Sequence, residues 1–144
     1  MGAWGTGPFD NDDASDWLYE LQESSDESAI VIALEAVAGT GGYLEAPECS
    51  TALAAAEIVA ALHGTPLDGL PDEAKSWIDE NRLRLNVPGL IPLSIVAVER
   101  IRTNSELKEL WEESGDADQW HSELANLTLR LQKGETSPIS QSRE

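Results

Sequence analysis

The chain is expected to fold as all-α: a single compact domain of six or seven helices behind an irregular N-terminal segment rich in glycine, tryptophan and aspartate. Three observations predict this. Apolar residues recur at helical spacing through most of the chain, and the breaks between these runs carry helix caps and Gly or Pro stops. A chain of 144 residues with 41% hydrophobic content is also of single-domain size, and buries about 68–70% of its unfolded surface. The helical domain is placed at 1–134 and a flexible C-terminal tail at 135–144. No internal repeat or low-complexity block interrupts it.

Each element has its own reason. The opening, Gly2 to Trp17, packs three glycines, three aromatics and four aspartates ahead of a stripe of Ala14, Trp17, Leu18 and Leu21. That stripe predicts a short amphipathic helix with Asp12 or Asp13 as N-cap. Ser24 and Glu27 stand at capping-box spacing before Ile30–Ala38, a β-branched run read as helix rather than strand because of that cap and its Leu and Ala content. An alanine-rich helix follows from about Pro47 to His63, interrupted by Glu57 and stopped by Gly64. Being apolar almost all round, it is expected to sit centrally.

The next helix runs from about Pro71 to Arg84 with Trp77 and Ile78 inward. Asn86-Val87-Pro88-Gly89 reads as a breaker, after which a helix from Pro92 to Arg102 sets Leu93, Val96, Ala97 and Ile101 in a stripe. A shorter helix carries Leu107, Leu110 and Trp111 and closes near Gly115. The last begins with Asp116 and Gln119 at capping-box spacing and buries Trp120, Leu124, Leu127 and Leu131 before Gly134.

The opening Gly-Ala-Trp-Gly-Thr-Gly-Pro-Phe-Asp-Asn-Asp resembles a motif of a bacterial family of small acidic proteins catalogued as a domain of unknown function. The Tyr43-Leu44-Glu45-Ala46-Pro47 turn before its alanine-rich helix, and Glu106-Leu107-Lys108-Glu109-Leu110-Trp111, extend the likeness over nearly the whole chain. The resemblance implies a bacterial, cytoplasmic, single-domain protein and assigns no activity, cofactor or catalytic residue.

Charge is the sharpest compositional fact. The formal net charge is −18, and fifteen acids precede the first base, Lys75; the remaining twelve acids stand with all nine Lys and Arg residues. Such a field disfavours nucleic acid and anionic membranes and steers encounter with a basic partner. The N-terminus has no basic region followed by an apolar run, and no stretch approaches the length of a membrane span, so a cytoplasmic protein is expected. Met1-Gly2-Ala3-Trp4-Gly5-Thr6 matches the myristoylation pattern formally, but one acyl chain without nearby basic residues anchors only marginally. Cys49, the single cysteine, suits a reducing compartment as a small buried hydrophobe.

Known chemical signatures are absent. Gly2, Gly5 and Gly7 have neither the preceding strand nor the following Lys of a phosphate loop. A calcium loop beginning at Asp10 would meet Ala14, Ser15 and Leu21 where it needs an oxygen ligand, glycine and glutamate. Asp118 and His121 lack the second Glu-x-x-His of a di-iron site, and His63 suits a helix C-terminus. Glu35 and Glu57 each interrupt an apolar helix, so their burial decides whether they form an acid–base pair, mark a solvent-facing stripe, or meet an Arg from the second half. No nucleophile elbow occurs, and the tryptophans read as core, with Trp4 open to either role.

No cofactor or metal is therefore expected, and an enzyme is not the favoured reading. The expected function is a cytosolic binding protein whose acidic first half docks a basic partner protein, in the manner of an inhibitor or immunity protein. Its candidate binding residues are Trp4, Asp10, Asn11, Asp12, Asp13 and Glu45. One alternative is a small-ligand or divalent-cation-binding protein, or a hydrolase, using the Asp10–Asp13 loop with Glu45; another is a structural, self-associating role.

Overall fold

A computed structural model describes residues 7–39, 41–67, 69–85 and 87–142, with side chains through Lys133. The described chain is 77% helical, with seven α-helices and no strand, in one compact all-α domain.

The chain enters through a turn in which the Asp10 N–H donates to the Gly7 carbonyl at 3.1 Å. A Cβ on Gly7 would stand 2.7 Å from Asp10 Oδ2, so this glycine lets the carboxylate fold over the turn. Helix α1 spans Asp12–Gln22, and its N-cap is Asn11 rather than Asp12 or Asp13. Asn11 keeps extended backbone while its Oδ1 accepts from the Ala14 N–H at 2.8 Å; the two aspartates are already in the first turn, where the helix dipole favours them. Ala14, Trp17, Leu18 and Leu21 are buried as the stripe predicts, and Phe9 packs partly buried against the same core.

Helix α2 spans Ser28–Ala38. The expected Ser24–Glu27 capping box does not form, because Glu27 is itself the cap position and not the third residue of the helix. Asp26 Oδ1 instead accepts from the Ser28 N–H at 3.0 Å, while the Ser24 hydroxyl donates to the Asp26 carbonyl. Two indoles fasten this connector and the first turn of α2: Trp77 Nε1 donates to the Ser24 carbonyl at 2.8 Å, and Trp17 Nε1 to that of Ala29 at 3.3 Å.

Helix α3, Ala46–Leu62, is the centre of the fold, with every residue from Ala52 to Leu62 buried. Its alanines let neighbours approach closely, and it touches each of the other α-helices. Gly64, in the left-handed region at φ +103°, turns the chain out of it, and the Thr65 N–H returns to the Ala60 carbonyl. Helix α4, Asp72–Asn81, buries Trp77 and Ile78 and runs into a 3-10 turn at Arg82–Arg84.

Helix α5 spans Val87–Thr103, so it begins before the expected Pro92. Pro88 falls in the first turn, where no N–H is needed, and Val87–Gly89 starts the helix instead of breaking it. The buried stripe is Leu90, Ile91, Ser94, Ala97, Val98 and Ile101, which leaves Val96 48% exposed. The stripe passes through Ser94, whose hydroxyl is satisfied by the Leu90 carbonyl at 2.9 Å.

Helix α6, Glu106–Ser114, is capped by Ser105 and ended by Gly115 at φ +92°. Helix α7 spans Ala117–Ser142, continuing through Gly134, and buries Trp120, Leu124, Leu127 and Leu131. The Trp120 N–H bonds to the Asp116 carbonyl, as expected of a helix capped at Asp116.

Helices α2 and α3 have no base in their last turns, and arginines of the second half supply what is missing. Arg100 donates to the Val37 carbonyl at 2.8 Å and Arg82 to that of Leu62 at 2.9 Å. These positive charges therefore meet the carbonyl ends of first-half helices. At the other end of α3, Glu106 Oε1 accepts from the Ala46 N–H at 2.7 Å and the Glu106 N–H donates to the Leu44 carbonyl at 2.9 Å. A carboxylate thus caps a helix far away in sequence.

Candidate docking groove

Among the described residues, the expected site residues divide between two adjoining clefts and the exposed surface. Trp4 lies outside the described residues. The Asn11 side chain is engaged in capping, Asp12 is exposed in the first turn of α1, and Glu45 is exposed at the start of α3. Asp13 and Asn11 line a cavity of about 290 Å³ with Trp111 and Trp120, whereas Asp10 lines an adjoining cleft that shares Gly7 and Pro8 with it. Among the described residues no group of three or more His, Cys, Asp or Glu side chains is placed to hold a metal ion.

The cleft at Asp10 is about 440 Å³ and reaches Glu57 and Arg130. Glu57 is only 2% exposed, and its two oxygens accept from Arg130 Nη1 at 2.8 Å and Nη2 at 3.0 Å. Arg130 is held in turn by Asn126 Oδ1 at 2.7 Å and the Thr65 carbonyl at 3.2 Å. Burial raises the Glu57 pKa, opposed by the guanidinium and assisted by the nearby Glu123. Glu35, by contrast, is exposed. The two glutamates are therefore not an acid–base pair across the core: Glu57 meets an Arg, and Glu35 marks a solvent-facing side of α2.

Other nucleophile chemistry is disfavoured by burial. Cys49 is fully buried and its thiol is pushed up to about 12 by that burial, so it is un-ionised at neutral pH. His121 sits with its ring 5.0 Å from that of Trp120, edge to face. Asp118 is exposed and His121 is half-buried, with no further ligand set around them among the described residues.

A third concavity was missed by sequence reasoning. It is a cleft of about 520 Å³ between α1, α2 and the start of α3. Trp17 and Glu20 form one wall, Ala29, Ile32, Ala33 and Ala36 the floor, and Pro47, Glu48 and Thr51 the other wall. The floor residues recur at helical spacing on the side of α2 that adjoins its most deeply buried residues, Ile30, Leu34 and Val37, with Ala33 at the boundary. Ile32 is 69% exposed there. The available signal was that Ile30–Ala38 is apolar on more sides than one contact face needs.

Glu20 is the acid that α1 gives to this wall, and it belongs to a row that runs beyond the groove. Helical spacing puts Asp13, Asp16, Glu20 and the C-cap Glu23 on adjoining turns, and α1 contains no base. Among the described residues none of these four carboxylates pairs with a cation. No helix among the described residues is long and apolar enough to cross a membrane.

Residues 2–123 match the model of a family described as a domain of unknown function, DUF4259. No curated protein and no solved structure matches the chain.

Proposed function

We propose that the chain, which belongs to the DUF4259 family, is a non-enzymatic docking protein that binds a basic partner protein through the acidic face of α1. The observation behind this reading is the row Asp13, Asp16, Glu20 and Glu23, which has no cationic partner among the described residues. The first base in the chain is Lys75; Arg82 donates to the Leu62 carbonyl, and Arg84 comes near the C-terminal end of this row, donating to the Ser25 carbonyl at 3.4 Å. Asp13, Asp16 and Glu20 stand farther along α1, with no ion pair among the described residues. Their field would speed encounter with a positive surface and make the association sensitive to salt. A cytoplasmic location suits the reduced, buried Cys49.

The test is a pulldown from native host cells at low and high salt, comparing the wild-type chain with an Asp16→Asn, Glu20→Gln, Glu23→Gln variant. A basic protein retained by the wild type at low salt, and lost both at high salt and with the variant, is the expected result. Recovery of a salt-insensitive partner, or equal recovery by both chains, would contradict the reading.

A second reading, small-ligand binding, draws on the cleft of about 440 Å³ beside Asp10 and the Glu57–Arg130 pair. A metabolite panel that raises the melting temperature of the wild type but not of Asp10→Ala would support it. The divalent-cation form of this reading has no ligand set among the described residues.

A further inference from the structure

The geometry points to the kind of segment that docks: we infer that the groove between α1, α2 and α3 seats one amphipathic, lysine- or arginine-rich helix of the partner. This rests on the docking reading above and adds to it a place and a shape.

Three observations lead there. The groove floor is apolar and repeats along a helix, with Ala29, Ile32, Ala33 and Ala36 covering about two turns, or roughly 10 Å. Alanines make a shallow trough beside the exposed Ile32, the relief into which apolar side chains at i, i+3 or i+4, and i+7 of another helix interdigitate. The two walls carry carboxylates, Glu20 from α1 and Glu48 from α3, both exposed and neither paired with a cation among the described residues.

The occupant is thus apolar along its middle and positive along both flanks. A purely basic, apolar-free segment would leave Ile32 uncovered, and a neutral apolar helix would leave both acidic walls without counter-charge. A second copy of this chain brings a net charge of −18 to meet another of −18, so self-association through this face is opposed by repulsion. Covering the floor removes apolar surface from water, while the flanking cations set direction and encounter rate.

The test uses three synthetic peptides of equal length and equal lysine content. One places leucines at i, i+3, i+4 and i+7 of a helix, one has the same composition scrambled so that no apolar face forms, and one replaces the leucines by glutamine. Binding is read by fluorescence anisotropy at physiological ionic strength. The amphipathic peptide is expected to bind roughly tenfold or more tightly than the other two. Ile32→Gln and Ala36→Gln are each expected to remove that advantage while leaving affinity for the glutamine peptide unchanged; both positions are exposed, so the fold tolerates them. Leu83→Gln, at a position 98% exposed on the 3-10 turn, is expected to change nothing.

Equal binding of all three peptides would overturn the groove and leave the electrostatic reading standing. Binding of none would overturn both. Retention of the advantage in Ile32→Gln and Ala36→Gln, or equal affinity for a fourth peptide, the amphipathic helix with serine in place of lysine, would overturn the inference. So would concentration-dependent self-association of the wild type that Ile32→Gln abolishes.

Discussion

Arg130 in α7 grips both carboxylate oxygens of Glu57 in α3, at 2.8 and 3.0 Å, across 73 positions of sequence. This pair ties the last helix to the central one in a site where Glu57 is almost wholly out of water. Removing one partner strands the other, whereas removing both leaves only a packing problem. Arg130→Met is therefore expected to cost about 3–5 kcal/mol at neutral pH, and Glu57→Leu with Arg130→Met much less. Chemical denaturation of the two single variants and the double variant measures the coupling.

That loss also depends on pH. The folded-state pKa of Glu57 is raised, so its contribution to stability is fully present below its unfolded value and is lost as pH rises through the folded value. Without the Arg130 guanidinium the folded value rises further. The deficit of Arg130→Met is thus expected to shrink as pH falls below the raised value, and a deficit that is constant from neutral to acid pH would contradict this account.

Asp26 runs the other way. The Ser28 N–H beside it holds its carboxyl below the usual aspartate value, so its stabilisation is present above the unfolded value and lost as pH falls through the folded one. Asp26→Asn is expected to melt lower than the wild type at neutral pH, with the two curves converging in acid. Thermal unfolding followed by circular dichroism across that range checks the sign.

At the N-terminus, Asn11 is the cap of α1 and Asp12 lies past it. Asn11→Ala is expected to cost about 1 kcal/mol, and Asp12→Ala to cost less. Denaturant titrations of both variants decide, and the reverse order would return the cap to the aspartate.

These residues show where sequence reading reached and where it stopped. The order of helices, the central α3 and the buried stripes of α1 and α7 follow from spacing alone, because a face that repeats at 3.6 residues has one way to be buried. The α1 cap did not follow: Asn11, Asp12 and Asp13 are all competent caps, and only backbone position separates them. Pro88 and Gly89 predict a break because both disfavour a helix interior, and they open α5 instead because they fall in its first turn, where Pro is tolerated. Glu57 stood out as a charge in an apolar helix, and a distant Arg was among the expected partners, but nothing in spacing distinguishes Arg130 from the others. The groove stayed hidden for a related reason. Whether Ile32 faces the core or water depends on the side of α2 that α3 and α5 cover, which is decided by packing between helices and not within one.

Burial makes a further expectation for Cys49, whose thiol is pushed up to about 12. Native protein is expected to resist iodoacetamide at mildly alkaline pH and to react promptly once unfolded in denaturant, as followed by mass spectrometry. Rapid labelling of the native chain would show that the thiol is reached by solvent.

The claim that docking is local to α1, and not a diffuse effect of net charge, is tested most directly by comparing two variants with the same change of charge. One neutralises Asp16 and Glu20 on α1 and its C-cap Glu23; the other neutralises Asp79, Glu80 and Glu113, which are exposed on α4 and α6. Affinity for the amphipathic lysine peptide is measured for each as a function of salt. The account predicts a marked loss of affinity and a shallower salt dependence for the α1 variant, with the other close to wild type. Equal losses in the two variants would contradict it.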